Sequence, residues 1–157
     1  MTTAITNVDN ALAVESRDKI LRFEQALSQM EGAVFGDNEL MPLEHFFTDG
    51  IYTRQITIPA GTICTGKIHR YAHPNFLLKG RVTVYTEEGG TEHHVAPKML
   101  MSAAGTKRAV LAHEDTVWVT IHRTDQTDLD EIEKEVISPS YEEFDKVNRK
   151  ELIWLGQ

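Results

Sequence analysis

Cysteine is nearly absent from the sequence, which has one, Cys64, among its 157 residues. A single thiol cannot form an internal disulfide, and we therefore expect a protein of a reducing compartment. No apolar run approaches the ~20 residues that a membrane span requires. The first residues also lack the charged start and apolar core of a secretory signal. These absences favour a cytoplasmic protein with no membrane partner.

Basic residues are outnumbered, with 16 Lys and Arg against 24 Asp and Glu, which gives a net charge of −8. Proteins that bind the nucleic-acid backbone present a basic patch, so we expect no nucleic-acid partner. The acidic excess is uneven, because residues 124–146 hold nine acidic and two basic residues while the remainder is nearly neutral. A pocket in that remainder can still attract an anion.

The hydrophobic pattern divides the chain into one main domain with extensions at both ends. We predict a mobile arm over residues 1–15 and a helix with its linker over residues 16–42. A β domain follows over residues 43–123, and an acidic extension over residues 124–157. Ser16 is a plausible N-cap for a helix over about 17–31. The short β-branched runs of the third part, separated by turn signals, predict a small sandwich or barrel. Pro139 splits the acidic extension into two short helices.

The segment from Gly61 to Gly80 carries the residues with chemistry. Strand alternation places Lys67 and His69 on one face. After a bend, His73 and Asn75 share a face along the next strand. Two imidazoles, an amide and an ammonium on one face are unusual for a solvent-exposed surface and predict the wall of a binding site.

The spacing of this segment resembles the first motif of the cupin superfamily, G-x5-H-x-H-x3,4-E-x6-G. Gly61 and Gly80 match the two glycines, Lys67 stands at the first His, His69 at the second, and His73 at the Glu. The resemblance implies a mainly β protein, a cupin-like jelly-roll β-barrel with an N-terminal helix and an acidic helical tail.

Residues 103–112 resemble the second cupin motif, P-x-G-x2-H-x3-N, with Gly105 kept and Arg108 at the position of the His. The resemblance covers residues 43–123, about half of the chain. Several short segments there are also similar to small phage-encoded cupin-like proteins of unassigned role. A phage origin would place the protein in the host cytoplasm. Because such barrels commonly pair, the resemblance also implies a homodimer.

Cupins usually hold a divalent metal on three His and one Glu, and this sequence keeps only His69 as the expected type. His73 can still ligate, since imidazole replaces carboxylate readily on Zn, Fe, Ni or Mn. Lys67 and Arg108 cannot ligate while they carry their charge. The resemblance therefore leaves one metal ligand to be found.

His122 is a candidate for that third ligand if two neighbouring strands form a hairpin. If residues 108–112 pair with residues 116–122, Arg108 lies opposite Thr120, and His122 points to the same side of the sheet. His69, His73 and His122 then form a three-His set with open positions for water or substrate. A register slip of one residue would turn His122 outward.

The leading hypothesis is a small-molecule-binding cupin with a divalent metal on these three histidines. Two cations would orient an anionic group, and the predicted ligand-binding residues are Lys67, Tyr71, Asn75, Arg108 and Thr120. One alternative is a metal-free pocket that sequesters an anionic metabolite or nucleotide signal, and another is an interaction module with a relic pocket. No inward carboxylate can be placed as a general base, so the sequence does not decide whether the protein is an enzyme. The neighbouring pair His93 and His94 is predicted to be solvated.

Overall fold

The computed structural model describes residues 3–155, with side chains placed for residues 14–148. The strands are β1 Leu43–Thr48, β2 Ile51–Ile58, β3 Ile63–Thr65, β4 Ile68–His69, β5 His73–Lys79, β6 Arg81–Thr86, β7 Gly90–Val95, β8 Lys98–Ser102, β9 Arg108–Ala112, β10 Thr116–Arg123 and β11 Ile137–Ser138. The helices are α1 Thr3–Ser28, α2 Leu129–Val136 and α3 Tyr141–Leu155. None of these helices, as far as they are described, combines the length and the hydropathy of a membrane span.

Two antiparallel sheets enclose the core and confirm the predicted mainly β architecture. The first has the order β1-β2-β10-β5-β8, and the second has the order β3-β9-β6-β7. Alternate residues of each strand point between the sheets, as the period of two requires. The apolar core draws on both sheets and consists of Ile58, Leu77, Val82, Val84, Val110, Ala112 and Trp118. The sheets therefore form a closed β-sandwich of jelly-roll type.

The glycines that matched the two motifs all occupy turns with positive φ. The angle is 79° at Gly61, 96° at Gly80 and 84° at Gly105. Gly80 separates β5 from β6, and a Cβ there would lie 2.5 Å from the Oγ1 of Thr116. Any L side chain would be both strained and in collision at this position. The glycine framework thus has a steric cause.

The N-terminal helix is longer than the sequence predicts. α1 begins at Thr3, so the N-cap predicted at Ser16 is wrong, and the segment 3–15 is helical. Those residues contain neither proline nor glycine, so nothing in them interrupts a helix once it is anchored further along. Ile20 supplies the anchor, because it is 1% exposed and packs with Phe144 of α3. The division of the chain into four parts stays a prediction.

The acidic extension contains the two helices that Pro139 was predicted to separate. Asp128 caps α2 by accepting hydrogen bonds from the backbone N–H groups of residues 130 and 131, at 3.0 and 3.1 Å. Between the helices, β11 pairs with β4 so that Ile137 lies opposite His69. The backbone N–H of Arg70 also donates to the carbonyl of Val136 at 2.8 Å. The extension therefore holds the short strand that carries His69.

The predicted hairpin between β9 and β10 does not form. β9 pairs with β3 and β6 in one sheet, whereas β10 pairs with β2 and β5 in the other. Arg108 consequently lies opposite Thr86, and Thr120 lies opposite Arg54 and Asn75. Both strands still turn one face to the common interior, so Arg108 and His122 point inward from opposite sheets.

Candidate metal centre and anion pocket

Three buried histidines meet at one end of the barrel interior. His69, His73 and His122 are 6%, 2% and 6% exposed. Their possible ligand nitrogens lie within 4.8 Å of one another. In a tetrahedral site with Zn–N bonds of 2.0–2.1 Å such nitrogens lie about 3.4 Å apart, so the rings would have to approach by up to about 1.4 Å. The structure therefore brings together the three-His set, although by a route other than the predicted hairpin.

Two of the imidazoles leave a buried nitrogen without any partner. The Nδ1 of His73 lies 3.0 Å from the carbonyl oxygen of Tyr71 and must donate to it, because a carbonyl only accepts. That tautomer leaves a lone pair on Nε2, which is buried and unpartnered. The Nδ1 of His69 is buried and unpartnered as well. Buried polar atoms normally have partners, so these nitrogens indicate a missing ligand.

Burial keeps all three imidazoles neutral. It lowers the pKa of His69 to about 2, with smaller contributions from the neighbouring His73 and His122. It lowers the pKa of His122 to about 3, again reinforced by His73. Burial also lowers the pKa of His73, although the Tyr71 carbonyl acts in the opposite direction. At neutral pH the three lone pairs are available without prior loss of a proton.

The donor set fits a divalent metal ion. Neutral imidazoles suit zinc, iron and nickel, and a three-His arrangement leaves coordination positions open for water or a ligand. The Tyr71 carbonyl that orients His73 is the kind of outer partner that metal-bound histidines usually have. His69, His73 and His122 are therefore the residues that could hold a metal.

Asn75 fixes a hydrogen-bond network beside the histidines. Its side chain is fully buried, and the indole N–H of Trp118 lies 3.2 Å from its Oδ1. An indole N–H can only donate, which fixes the orientation of the amide. The amide Nδ2 must therefore donate to the Oγ of Ser102, at 2.5 Å. The predicted residue Asn75 serves to position Ser102.

Ser102 is left with a free hydroxyl hydrogen. Its Oγ accepts from Asn75 and also from the Nη2 of Arg108, so both lone pairs are occupied. No acceptor for its own O–H is present among the described side chains. Ser102 is 2% exposed and lies opposite His73 in the register of β5 and β8. Its remaining hydrogen is therefore available to an acceptor bound beside the histidines.

Arg108 supplies a positive charge to the same region. Its guanidinium lies over the Trp118 ring, with Cζ 5.7 Å from the centroid. Burial lowers its pKa, but an arginine keeps its proton at any working pH. Arg108 and Ser102 line a cavity of about 310 Å³ together with residues of β6, β7 and β8, and the three histidines lie outside its lining. The position that aligned with a cupin histidine thus holds a cation instead of a metal ligand.

His94 and Glu92 also line this cavity, which contradicts the prediction that His94 is solvated. His94 is 5% exposed, and its Nε2 lies 3.1 Å from a carboxylate oxygen of Glu92. Its Nδ1 lies 2.9 Å from the ammonium of Lys98 and accepts from it. The register of β6 with β7 would have predicted this position, because His94 lies opposite Val82 and Glu92 lies opposite Val84. Val82 and Val84 both point inward.

Two predicted ligand-binding residues lie elsewhere. Lys67 is exposed and forms an ion pair with Glu133 of α2, so the prediction that it faces inward is wrong. It falls between β3 and β4, where strand alternation does not apply. The Tyr71 side chain is 58% exposed and lines a different cavity, of about 240 Å³, beside Phe144 of α3. Thr120, by contrast, is buried on the inner face, and its Oγ1 has no partner.

Comparisons by structure support the fold. An ectoine synthase from P. lautus superposes with a TM-score of 0.52 at 13% identity, over 74% of this chain and 86% of that one. The DMSP lyase DddQ from Ruegeria pomeroyi gives 0.50 at 15% identity, over 62% of this chain and 55% of that one. A cupin superfamily protein from Desulfitobacterium hafniense gives 0.47 at 12% identity, over 59% and 84%. The barrel shares its fold with the ectoine synthase and the DMSP lyase.

No protein-family model and no curated protein sequence matches the chain. At identities of 15% or less, the structural similarity establishes the jelly-roll fold and no shared activity. Function must therefore be argued from the residues at the polar end of this barrel.

Proposed function

We propose that the protein binds a divalent metal on His69, His73 and His122 and holds a small anionic molecule beside it. The observation that carries the proposal is the buried, unpartnered nitrogen on His69 and on His73. A buried polar atom without a partner costs about 1–3 kcal/mol. A metal ion, once bound, would offset that cost and would supply Lewis acidity or an activated water.

The anionic character of the ligand rests on the hydrogen-bond inventory of the cavity. Arg108 offers N–H donors and a fixed charge, and Ser102 offers one O–H. Of the two carboxylates in the same lining, Glu92 is already engaged by His94 and Glu88 is exposed. A guanidinium matches the geometry of a carboxylate or a phosphate. In this proposal Arg108 orients the anion, Ser102 donates to it, and Asn75 holds Ser102 in place.

Metal content tests the first half of the proposal. Protein purified without an affinity tag and incubated with Zn, Fe, Ni or Mn should carry close to one ion per chain by elemental analysis. His69→Ala and His122→Ala should lose the ion, while His93→Ala, which changes an exposed histidine, should retain it. Absence of metal from the unaltered protein after all four incubations would refute the metal proposal.

Anion binding tests the second half and separates the alternative. Glycolate and inorganic phosphate should raise the unfolding temperature of the metal-loaded protein, and Arg108→Gln should abolish that response. An Arg108-dependent response in protein that takes up no metal would support the metal-free pocket for an anionic metabolite or nucleotide signal. No response from the unaltered protein would leave the relic pocket of an interaction module as the remaining hypothesis.

Three further expectations belong to this proposal. A homodimer is expected only because cupin barrels commonly pair. A phage origin is expected only because short segments of the sequence are similar to phage-encoded cupin-like proteins. A cytoplasmic location rests on the single cysteine, Cys64, whose thiol has its pKa raised to about 11 by burial and is unreactive there. Sedimentation analysis tests the dimer directly.

A further inference from the structure

Arg54 is a second inward arginine at the polar end of the barrel, and sequence patterns did not identify it. It lies on β2 at an inward position, two residues beyond Tyr52, which is 5% exposed. Its register partner across β2 and β10 is Thr120. Directly opposed residues of an antiparallel pair have Cβ atoms about 4.5–5.5 Å apart. Arg54 therefore stands beside Thr120 on the wall that also carries His122.

Neither the Arg54 guanidinium nor the Thr120 hydroxyl has a partner. Across residues 14–148, no group forms a hydrogen bond or an ion pair with the guanidinium of Arg54, whose backbone is paired within the sheet. Thr120 is 7% exposed, and its Oγ1 is buried without a hydrogen bond. A half-buried cation beside an orphaned buried hydroxyl is a pair of donors that lacks its acceptor.

Arg54 lies on the same wall as His122. Thr120 is its register partner on β10, and His122 lies two residues further along that strand, opposite Tyr52. Arg108 reaches the region from the opposite sheet, where it donates to Ser102, which lies opposite His73. Among the described side chains, no carboxylate lies within ion-pair distance of either arginine, and Glu92, which shares the cavity of Arg108, is engaged by His94.

The two arginines approach the histidines from opposite sides. Arg54 belongs to β2, while Arg108 reaches Ser102 on β8, and β10 and β5 lie between them. Strands are 4.7–4.9 Å apart, so β2 and β8 are separated by roughly 14 Å along the sheet. Arg54 starts from β2, whereas the Arg108 guanidinium, which comes from β9 of the other sheet, ends beside β8.

We infer that the anionic ligand carries two acidic groups, one held by Arg54 and Thr120 and the other by Arg108 and Ser102. The ligand class is a short dicarboxylate or a phosphorylated carboxylate that spans the three histidines. This inference rests on the proposed function of the site and extends it from a single anion to a dianion. One acidic group alone would leave one guanidinium and one buried hydroxyl without an acceptor.

Binding of a matched probe series tests the inference. Succinate, its monomethyl ester, malonate, glutarate and 2-phosphoglycolate are titrated calorimetrically into zinc-loaded protein and into metal-free protein. We expect the best doubly acidic probe to bind at least 10-fold more tightly than the monomethyl ester. Equal affinity for the doubly and singly acidic probes, or no binding of any probe, would overturn the inference.

Arginine variants assign the second acidic group. Arg54→Gln should remove the 10-fold advantage of the doubly acidic probe while leaving the affinity for the monomethyl ester within twofold, and Arg54→Lys should restore part of it. Arg108→Gln should weaken both. The control is Arg81→Gln, which removes an exposed arginine of β6 that pairs with Glu114. Unfolding temperatures confirm that each variant is folded.

The outcomes separate this inference from the proposal on which it rests. Zinc binding with Arg108-dependent affinity for single anions, unaltered in Arg54→Gln, would leave the proposed function intact and overturn the dianion. Arg54-dependent discrimination in protein that binds no zinc would support the dianion and refute the metal.

Discussion

The barrel interior has an apolar half and a polar half, and the same strands line both. On β5, Leu77 belongs to the apolar half, while His73 and Asn75 belong to the polar half. On β10, Trp118 is apolar core, and Thr120 and His122 face the site. The apolar half is filled by side chains from both sheets. The polar half contains buried nitrogen and oxygen atoms that no protein group satisfies.

This difference separates the residues that stabilise the fold from those available for function. Leu77 and Asn75 are both fully buried, but Leu77 lies among apolar side chains whereas Asn75 lies among polar groups. Close packing of apolar side chains contributes to the free energy of unfolding. Unsatisfied polar groups oppose it, and proteins retain them where a ligand completes the arrangement.

The largest expected effect on stability comes from the apolar half. Leu77→Ala should lower the free energy of unfolding by about 2–5 kcal/mol, because it removes a fully buried side chain and leaves a cavity. Urea unfolding followed by circular dichroism measures the change. A loss below about 1 kcal/mol would mean that the apolar half does not carry the fold.

A change of similar size in the polar half should affect metal binding instead. His73→Leu should reduce metal affinity by more than about 100-fold, because loss of a ligand exceeds the effect of an outer-shell change. Its metal-free form should keep a free energy of unfolding within about 1 kcal/mol of the unaltered protein, since loss of the unpartnered nitrogen offsets loss of the hydrogen bond to the Tyr71 carbonyl. Titration with Zn²⁺ and urea unfolding give the two quantities. A destabilised variant with unaltered zinc affinity would reverse the assignment of the two halves.

The polar half should also make the metal-free protein sensitive to acid. Burial lowers the pKa of His69 to about 2 and of His122 to about 3, from 6.5. The unfolded chain therefore takes up protons first as the pH falls. Each of these histidines contributes stability that is fully present above about pH 6.5 and is lost as the pH falls toward the lowered pKa.

The expected loss is up to about 1.4 kcal/mol per pH unit for each of these two histidines. The measurement is the urea midpoint of metal-free protein between pH 7 and pH 4. A double variant, His69→Leu with His122→Leu, should show a shallower decline over that range. Parallel curves for the variant and the unaltered protein would contradict the assigned burial.

The smallest effect is expected outside the barrel. Lys67→Ala removes an exposed ion pair with Glu133, and such pairs contribute about 0–1 kcal/mol. Zinc affinity and anion affinity should be unchanged within twofold, since Lys67 does not reach the polar half. A marked loss of anion binding in this variant would restore Lys67 to the site.

The sequence predicted the parts of the fold that depend on local rules. Positive-φ glycines at residues 61, 80 and 105 must stand at turns, and the short β-branched runs between them must be strands. The inward positions of His73 and Asn75 follow from alternation along one continuous strand, β5. These features need no knowledge of which strands pair.

Features that depend on pairing were harder to predict. His122 does lie beside His69 and His73, but β10 belongs to the opposite sheet from β9 and not to a hairpin with it. The inward prediction for Lys67 assumes that side chains alternate along one continuous strand, but Lys67 lies in the break between β3 and β4. The position of Arg54 beside Thr120 follows from the register of β2 with β10, which cannot be read from a local sequence pattern.

The coordination of a bound metal is the most direct test of the account. X-ray absorption at the zinc edge of protein loaded with one equivalent of Zn²⁺ counts the imidazole ligands and gives the Zn–N distances. We expect three imidazoles at about 2.0–2.1 Å, and two in His73→Leu reconstituted at higher zinc concentration. A zinc ion coordinated by oxygen alone, or with the same spectrum in that variant, would contradict it.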